Sequence, residues 1–282
     1  MAVLLTGATG YIGSAVLRAL RARDHDVTAL VRSEAKAEAV RAAGATAVVG
    51  DATDLDLLTR LVRESTGVVH TAATGDSSSA ALDESLVEIV SREFAEDDRP
   101  YLHTGGVWVF GAGDDLTESS PMRPETISGW RIPIEAAVRR APVRTTIVAP
   151  GIVYGHGGGI PAEFMSGEEV RLPGDGSQRW TLVHVDDLAE LYVLALEAAA
   201  DDDYVFAVSD EQSTVRELAE AAAHGRPVID ESADESRARL GSAYADALLA
   251  DQVASAAHAR DVLGWRPGSP RLVDELRAGY VG

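Results

Sequence analysis

The feature that most constrains this chain is a glycine-rich segment at its amino end. The apolar residues 3–5 lead into TGATGYIG at residues 6–13, and apolar residues at helical spacing follow. Gly7 permits a sharp turn off the strand, Gly10 lets the backbone approach a diphosphate, and Gly13 lets the helix pack closely on the strand. The helix N-terminus offers free N–H groups and the positive end of its dipole, so we expect a dinucleotide there. The predicted contacts in this segment are Gly7, Thr9, Gly10, Tyr11, Ile12 and Gly13.

Short apolar runs and helical patterns alternate along the first hundred residues. This alternation is typical of a parallel sheet whose strands are joined by right-handed helical crossovers. We therefore predict an α/β fold, a Rossmann-type doubly wound parallel sheet with a smaller C-terminal substrate lobe. The further strands are predicted at residues 26–31, 45–49, 67–74 and 101–104, and a helix at residues 80–94.

The second predicted strand ends at Arg32. At this position an acidic residue binds the ribose 2′-hydroxyl of NAD, whereas an arginine accommodates the 2′-phosphate of NADP. Arg32 and Lys36 therefore predict NADP(H) as the cofactor; the alternative is a solvated helix start. Lys36 is the only lysine in the sequence.

The glycine segment resembles the cofactor-binding motif of the extended short-chain dehydrogenases/reductases, which include epimerases, dehydratases and reductases. GDATD at residues 50–54 resembles that superfamily's G-D-x-x-D turn, and HTAA at residues 70–73 resembles its H-x-A-A segment. We interpret His70 itself as a packed strand residue. VHVDD at residues 183–187 and LGWRP at 263–267 continue the resemblance. It implies further cofactor contacts by Asp51, Ala52, Ala72, Ala73, Thr74, Thr104 and Pro150.

The resemblance fails where the superfamily carries its catalytic residues. Its members have a serine in the turn after the fifth strand and a Tyr-x-x-x-Lys pair at the start of a later helix. Here the matching positions hold Gly106, Trp130 and Ile134. Because Lys36 is the only lysine, no alternative alignment restores the pair. The chain is similar to an atypical branch in which a Trp-Arg pair replaces the tyrosine.

Three residues are candidates for catalysis in place of the missing groups. Arg131 could bind the nicotinamide ribose or polarise a substrate oxygen. Tyr154, in a V-Y-G turn, could donate a proton; the alternative is a packing role. His184 in the VHVDD segment is the third candidate, and a structural role is its alternative.

Residues 1–150 are expected to form the dinucleotide-binding domain, and residues 151–282 the substrate lobe, interleaved with the last strands of the sheet. A crevice at the carboxyl ends of the strands should hold the cofactor. The aromatic residues expected at this crevice favour an apolar substrate. The alternative is that some of them belong to the hydrophobic core. The predicted substrate pocket comprises Gly106, Trp108, Trp130, Tyr154 and Trp180.

Charge and composition exclude several classes of partner. Asp and Glu number 45 against 25 Lys and Arg, a formal charge of −20 that repels nucleic acid and anionic membranes. The absence of cysteine excludes disulfides and thiolate metal sites, and we predict no metal. No apolar run nears the roughly 20 residues that span a membrane. With the first strand starting at Ala2, these features predict a soluble cytoplasmic protein.

The predicted function is an NADPH-dependent reductase of a small, largely apolar carbonyl, imine or activated alkene, with a non-standard proton donor. Two alternatives stay open. The first is an NADP(H)-binding redox sensor without turnover. The second is a non-redox isomerase or lyase on the same fold. By analogy with the superfamily, a homodimer could form through the helices near residues 81–95 and 130–140.

Overall fold

A computed structural model describes residues 1–73, 78–95, 97–198 and 204–281. Thr74, a predicted cofactor contact, lies outside the described residues. The chain divides into two compact units of three segments each. The first unit comprises residues 1–105, 130–148 and 188–205, and the second comprises 106–129, 149–187 and 206–282. The domain boundary that we placed at residue 150 stays a prediction.

The strands of the described chain are short and are numbered here in chain order. They are β1 (Ala2–Thr6), β2 (Asp26–Val31), β3 (Thr46–Val49), β4 (Gly67–His70), β5 (Pro100–Thr104), β6 (Gly113–Leu116), β7 (Arg144–Pro150), β8 (Ile152–Gly155), β9 (Gly158–Gly159), β10 (Val170–Arg171), β11 (Leu182–His184), β12 (Tyr204–Ala207), β13 (Val228–Ile229) and β14 (Gln252–Ala254).

The α-helices of the described chain alternate with these strands in its first half and cluster in its last quarter. They are α1 (Tyr11–Ala22), α2 (Glu34–Ala42), α3 (Leu55–Glu64), α4 (Ser78–Glu93), α5 (Arg131–Arg140), α6 (Val185–Glu197), α7 (Val215–Ala223), α8 (Ala233–Leu240), α9 (Ser242–Leu249), α10 (Ala257–Leu263) and α11 (Leu272–Arg277).

Seven of the described strands form one sheet in the order β3-β2-β1-β4-β5-β7-β12. Each pair from β3 through β7 whose register is described is parallel. The strand order reverses direction between β1 and β4, which is the arrangement of a doubly wound nucleotide-binding sheet. The predicted α/β fold with a Rossmann-type parallel sheet is confirmed.

The burial of apolar side chains explains how the strands and helices of the first unit pack together. The central strand β4 is buried along its whole length, as expected for a parallel sheet with helices on both faces. The helix α3 presents Leu58, Leu61 and Val62 to the core, and the carboxylate of Asp54 caps it by accepting the Leu57 N–H at 3.0 Å. The helices α4 and α5, near which dimerisation was predicted, pack against one another; the dimer stays a prediction.

The second unit has its own apolar core. The rings of Phe164 and Trp180 stack within it, with centroids 5.7 Å apart. Parallel pairing joins β8 to β11, and β9 returns antiparallel to β8. Across the described residues of both units, every helix is too short or too polar to cross a membrane.

Candidate functional site

The turn between β1 and α1 has room for glycine alone at two positions. Gly7 has a φ of +78°, and a β-carbon added there would lie 2.6 Å from the backbone nitrogen of Ala72. At Gly13 it would lie 2.1 Å from the carbonyl oxygen of Gly7. Inside the turn, the Gly10 N–H donates to the Gly7 carbonyl at 2.9 Å. The missing β-carbons therefore bring the start of α1 against the end of β1, leaving a backbone cradle that fits a diphosphate.

Arg32 and Asp51 lie at the ends of the neighbouring strands β2 and β3. Gly50 donates its N–H to the carbonyl of Val31 at 2.9 Å, which holds the two strand ends together. The Asp51 carboxylate accepts the backbone N–H and the hydroxyl of Thr53 at 2.9 and 2.8 Å. These bonds lower the pKa of Asp51, and the charge of Arg32 adds a smaller contribution. Arg32 therefore lies near enough to Asp51 for its charge to act on the carboxylate.

Lys36 lies in the first turn of α2, four residues beyond Arg32. Its backbone N–H donates to the hydroxyl of Ser33, the residue that caps this helix, at 3.4 Å. Both Arg32 and Lys36 have exposed side chains. The end of β2 thus presents two cations to solvent.

Hydrogen bonds between side chains and backbone tie together the ends of β1, β4 and β5. Thr71 donates its hydroxyl to the carbonyl of Thr6 at 2.8 Å. Thr104 donates its hydroxyl to the carbonyl of His70 at 2.6 Å, and Tyr192 bonds the same hydroxyl at 2.5 Å. Because the strands are parallel, the structure brings together at one edge most of the predicted cofactor contacts of the first unit. They are the glycine turn, Arg32, Asp51, Ala52, Ala72, Ala73 and Thr104.

A buried polar cluster lies beneath this edge. The ring of His70 bonds the hydroxyl of Thr6 at 2.6 Å through Nδ1 and the Asp83 carboxylate at 2.8 Å through Nε2. His103 stacks on His70 and bonds the Tyr101 hydroxyl at 2.9 Å. Burial lowers the pKa of His103 to about 3. These contacts agree with the interpretation of His70 as a packed strand residue.

The three positions that differ from the superfamily have different surroundings. Among the residues that the structure describes, none lies within 4 Å of a β-carbon added at Gly106. Trp130 is half-buried, and its ring carries the guanidinium of Arg131 at 4.5 Å from the centroid. Ile134 is buried in the core. Arg131 also donates from Nη1 to the carbonyl of Thr104 at 3.0 Å, so its charge lies at the end of β5.

Glu135 is a site-proximal residue that the sequence analysis missed. It is 1% exposed, and Tyr204 donates its hydroxyl to Oε2 at 3.0 Å. Among the described residues, Oε1 has no hydrogen-bond partner. Burial raises the pKa of Glu135 to about 7, against the Tyr204 hydrogen bond and the charge of Arg131. Its position between the buried residues Ile134 and Val138 on α5 was the available signal.

Tyr154 and His184 lie together in the second unit, with ring centroids 5.3 Å apart. Tyr154 is buried and donates its hydroxyl to the carbonyl of Pro270 at 2.9 Å. Burial raises its pKa well above the ordinary value for tyrosine. His184 accepts the Asp186 N–H on Nδ1 at 3.1 Å and faces Glu275 with Nε2 at 3.3 Å. Both side chains therefore have internal partners, and their catalytic roles stay predictions.

The remaining predicted residues lie as follows. Trp180 is buried, donates its indole N–H to the carbonyl of Leu248 at 2.9 Å, and lines a cavity of about 240 Å³ together with Phe164. Trp108 is half-buried beside Tyr244, and Pro150 ends β7. Trp130 belongs to the first unit, whereas Gly106, Trp108, Tyr154 and Trp180 belong to the second. The substrate pocket stays a prediction.

Comparison with known proteins agrees with the fold and the glycine turn. The sequence model of the NAD-dependent epimerase/dehydratase family matches residues 3–208. An uncharacterized protein of Schizosaccharomyces pombe is 30% identical, covering 98% of both chains. A 3-diazoavenalumate denitrifying reductase from Streptomyces is 26% identical, covering 98% of this chain and 99% of its own.

Two solved structures illustrate the likeness of fold. A dTDP-glucose 4,6-dehydratase from Streptomyces venezuelae, with NAD and TYD bound, has a TM-score of 0.80 at 22% identity, covering 99% of this chain and 96% of its own. The human epimerase family protein SDR39U1, with NADPH, has a TM-score of 0.77 at 22% identity, covering 99% of both chains. The family match spans most of the strands of the sheet, including the glycine turn. The chain therefore belongs to the NAD-dependent epimerase/dehydratase family of the extended short-chain dehydrogenases/reductases, which supports a reductase- or epimerase-type function.

Proposed function

We propose that this protein is an NADPH-dependent reductase of a small, largely apolar carbonyl, imine or activated alkene. The observation that carries the proposal is the turn at Gly7 and Gly13, where added β-carbons would meet backbone, followed at the next strand end by exposed Arg32. The turn fits a diphosphate, and the arginine fits a 2′-phosphate. The reductases among the relatives and the NADPH bound to SDR39U1 support the same cofactor and reaction type.

The bound nicotinamide would supply a hydride, and the chain's own residues would orient the reactants and provide a proton. Arg131 is the proposed cation of the site. Its guanidinium lies between the Trp130 ring and the Thr104 carbonyl, at the strand edge where the cofactor is expected. A cation there stabilises negative charge that develops on a substrate oxygen.

Tyr154 and His184 are the proposed sources of the proton. The neutral phenol of Tyr154 is the form that could donate one, and it would have to leave the Pro270 carbonyl to do so. His184 holds its Nε2 toward Glu275, which favours a proton on that nitrogen. The apolar substrate class rests on the half-buried indole rings of Trp108 and Trp130. The cavity that Phe164 and Trp180 line does not add to this argument, because glutamate and arginine side chains line it as well.

A redox sensor that binds NADP(H) without turnover is the second candidate. Gly106, Trp130 and Ile134 favour it, because none of the three supplies the hydroxyl, phenol or amine of the superfamily. The remaining alternative is an isomerase or lyase on the same fold, which would leave the total amount of reduced cofactor unchanged.

The deciding experiment follows NADPH binding by calorimetry and NADPH oxidation by absorbance with ketones, imines and enones. Turnover that falls at least tenfold in Arg131→Ala supports the reductase. A Tyr154→Phe or His184→Gln variant with the same loss identifies the donor. Tight binding without oxidation of any substrate would favour the sensor, and no binding of either nicotinamide nucleotide would overturn both.

A separate variant tests the preference for NADPH over NADH. Arg32→Asp should weaken NADPH about 100-fold, on the order of 3 kcal/mol, and leave NADH within a few-fold of the wild type. Arg60→Asp, on the exposed face of α3, makes the same charge change away from the strand edge and serves as the control. Equal losses for NADPH and NADH in Arg32→Asp would contradict the 2′-phosphate role.

A further inference from the structure

The helix α5 carries an arginine and a glutamate one turn apart, and both face the end of β5. Arg131 donates to the carbonyl of Thr104. A β-carbon added at the next residue, Gly105, would lie 2.9 Å from Oε1 of Glu135. Residues four apart on a helix are neighbours on its surface, so Glu135 is within reach of the Arg131 guanidinium. The acid and the cation thus flank the same two residues of the chain.

The hydrogen bonds around Glu135 suit a neutral carboxyl group. Its Oε2 accepts one hydrogen bond from Tyr204, and its Oε1 has no partner among the described residues. A buried carboxylate with a single donor is costly, because each charged oxygen needs hydrogen bonds to replace water. The other charged groups that act on Glu135 are Arg131 and Arg139 of the same helix and Asp83 of α4. Loss of its proton would leave Oε1 negative and in need of a donor.

We propose that Glu135 is a positioning residue for Arg131, whose guanidinium stays on the Thr104 carbonyl while Glu135 is protonated and turns to Oε1 when Glu135 ionises. The proton is released to water, and no bond other than the carboxyl O–H is broken. The Tyr204 hydroxyl continues to hold Oε2 in both forms. The functional consequence rests on the role proposed above for Arg131: ionisation pairs its guanidinium with a carboxylate, which leaves less positive charge for a substrate oxygen and slows the reaction.

The Trp130 ring reports this movement without any need for turnover. The Arg131 guanidinium lies 4.5 Å from its centroid, and a rearrangement of that cation changes the emission of the indole. We expect a fluorescence transition with a midpoint near pH 7, which is absent in Trp130→Phe. It should also be absent in Glu135→Gln, which keeps the shape of the neutral acid. Glu88→Gln, an exposed carboxyl on α4, should keep the transition.

A second variant tests the same point if Glu135→Gln does not fold. Tyr204→Phe removes the hydrogen bond that stabilises the ionised carboxylate, so the midpoint should move to higher pH. A transition that persists in Glu135→Gln, or a midpoint that Tyr204→Phe leaves unchanged, overturns the proposal. A wild-type protein without a Trp130 transition between pH 5 and about 9 overturns it equally.

The kinetic measurement separates this inference from the proposed function. If the protein reduces a substrate, kcat should fall about tenfold as pH rises through 7, and Glu135→Gln should flatten that limb without changing NADPH affinity. A limb that survives in Glu135→Gln contradicts the positioning role. If no substrate is reduced, the proposed function fails, and the fluorescence transition still decides whether Glu135 controls Arg131.

Discussion

Among the described glycines of the first unit, Gly13 leaves the least room for a side chain. The backbone oxygen of Gly7 lies 2.1 Å from the place of its missing β-carbon, and backbone cannot move aside as a flexible side chain can. Gly13→Ala should therefore displace the start of α1, cost about 1–3 kcal/mol of stability and weaken NADPH binding at least tenfold. Urea unfolding and calorimetry measure the two effects.

The matched control for this substitution is Gly268→Ala. A β-carbon there would have no neighbour closer than 4.0 Å within the described part of the chain, so both stability and cofactor affinity should stay near the wild-type values. Wild-type affinity in Gly13→Ala would show that the cofactor does not use this turn.

Glu135 should make the folded state less stable as pH rises. Its folded pKa, about 7, lies above the ordinary value of 4.5 that the unfolded chain has. Below pH 4.5 both states are protonated; between 4.5 and 7 the unfolded state releases a proton that the folded state retains. The native state therefore loses up to about 3 kcal/mol over this window. Glu135→Gln should remove that loss, as measured by urea unfolding at pH 5 and pH 8; an unchanged slope would contradict the raised pKa.

Among single residues, the sequence predicted those whose role depends on local spacing. Gly7 and Gly13 recur at a fixed interval between a strand and a helix, and their steric role follows from that interval. For Glu135, the spacing of the apolar residues on α5 indicated burial but not the role of the carboxyl group. Its importance depends on Tyr204 and Gly105, which are distant along the chain and meet it only in the folded sheet.

At the scale of elements, the hydrophobic pattern predicted the first five strands of the sheet to within a few residues. The fourth strand differs most, because it was expected to run from residue 67 to 74 and ends at His70. The chain leaves the sheet there because Thr71 binds the carbonyl of Thr6 with its hydroxyl and packs against Gly7. That contact joins distant segments, so no local pattern could reveal it.

The helix α7 offers a test of how much one capping box stabilises an element. Thr214 accepts the Glu217 N–H on its hydroxyl, and the Glu217 carboxylate accepts the Thr214 N–H at 2.8 Å. Thr214→Ala should cost about 1 kcal/mol in urea unfolding, whereas Glu217→Gln, which keeps an acceptor, should cost less. A larger loss in Glu217→Gln would show that charge, rather than capping geometry, dominates.

At the scale of the whole molecule, the formal charge of −20 acts against compactness. Salt screens this repulsion over a Debye length that falls to about 8 Å at physiological ionic strength. The thermal midpoint should therefore rise when NaCl is added to a low-salt buffer, as calorimetry at constant pH can measure. Sucrose, which carries no charge, controls for the stabilisation that any solute excluded from the protein surface produces. A midpoint that falls with salt would show that the ion pairs outweigh the repulsion.

Two of the positions that differ from the superfamily differ in how easily the missing side chain could be introduced. Among the described residues there is open space beside Gly106, whereas Ile134 is buried. No atom of the described chain would contact a β-carbon at residue 106, so the structure offers space for a serine there. A lysine at residue 134 would place an ammonium group in the apolar core, where it would give up its proton or open the helix. A single substitution could thus introduce the serine hydroxyl of the superfamily at residue 106, whereas burial opposes its lysine amine at residue 134.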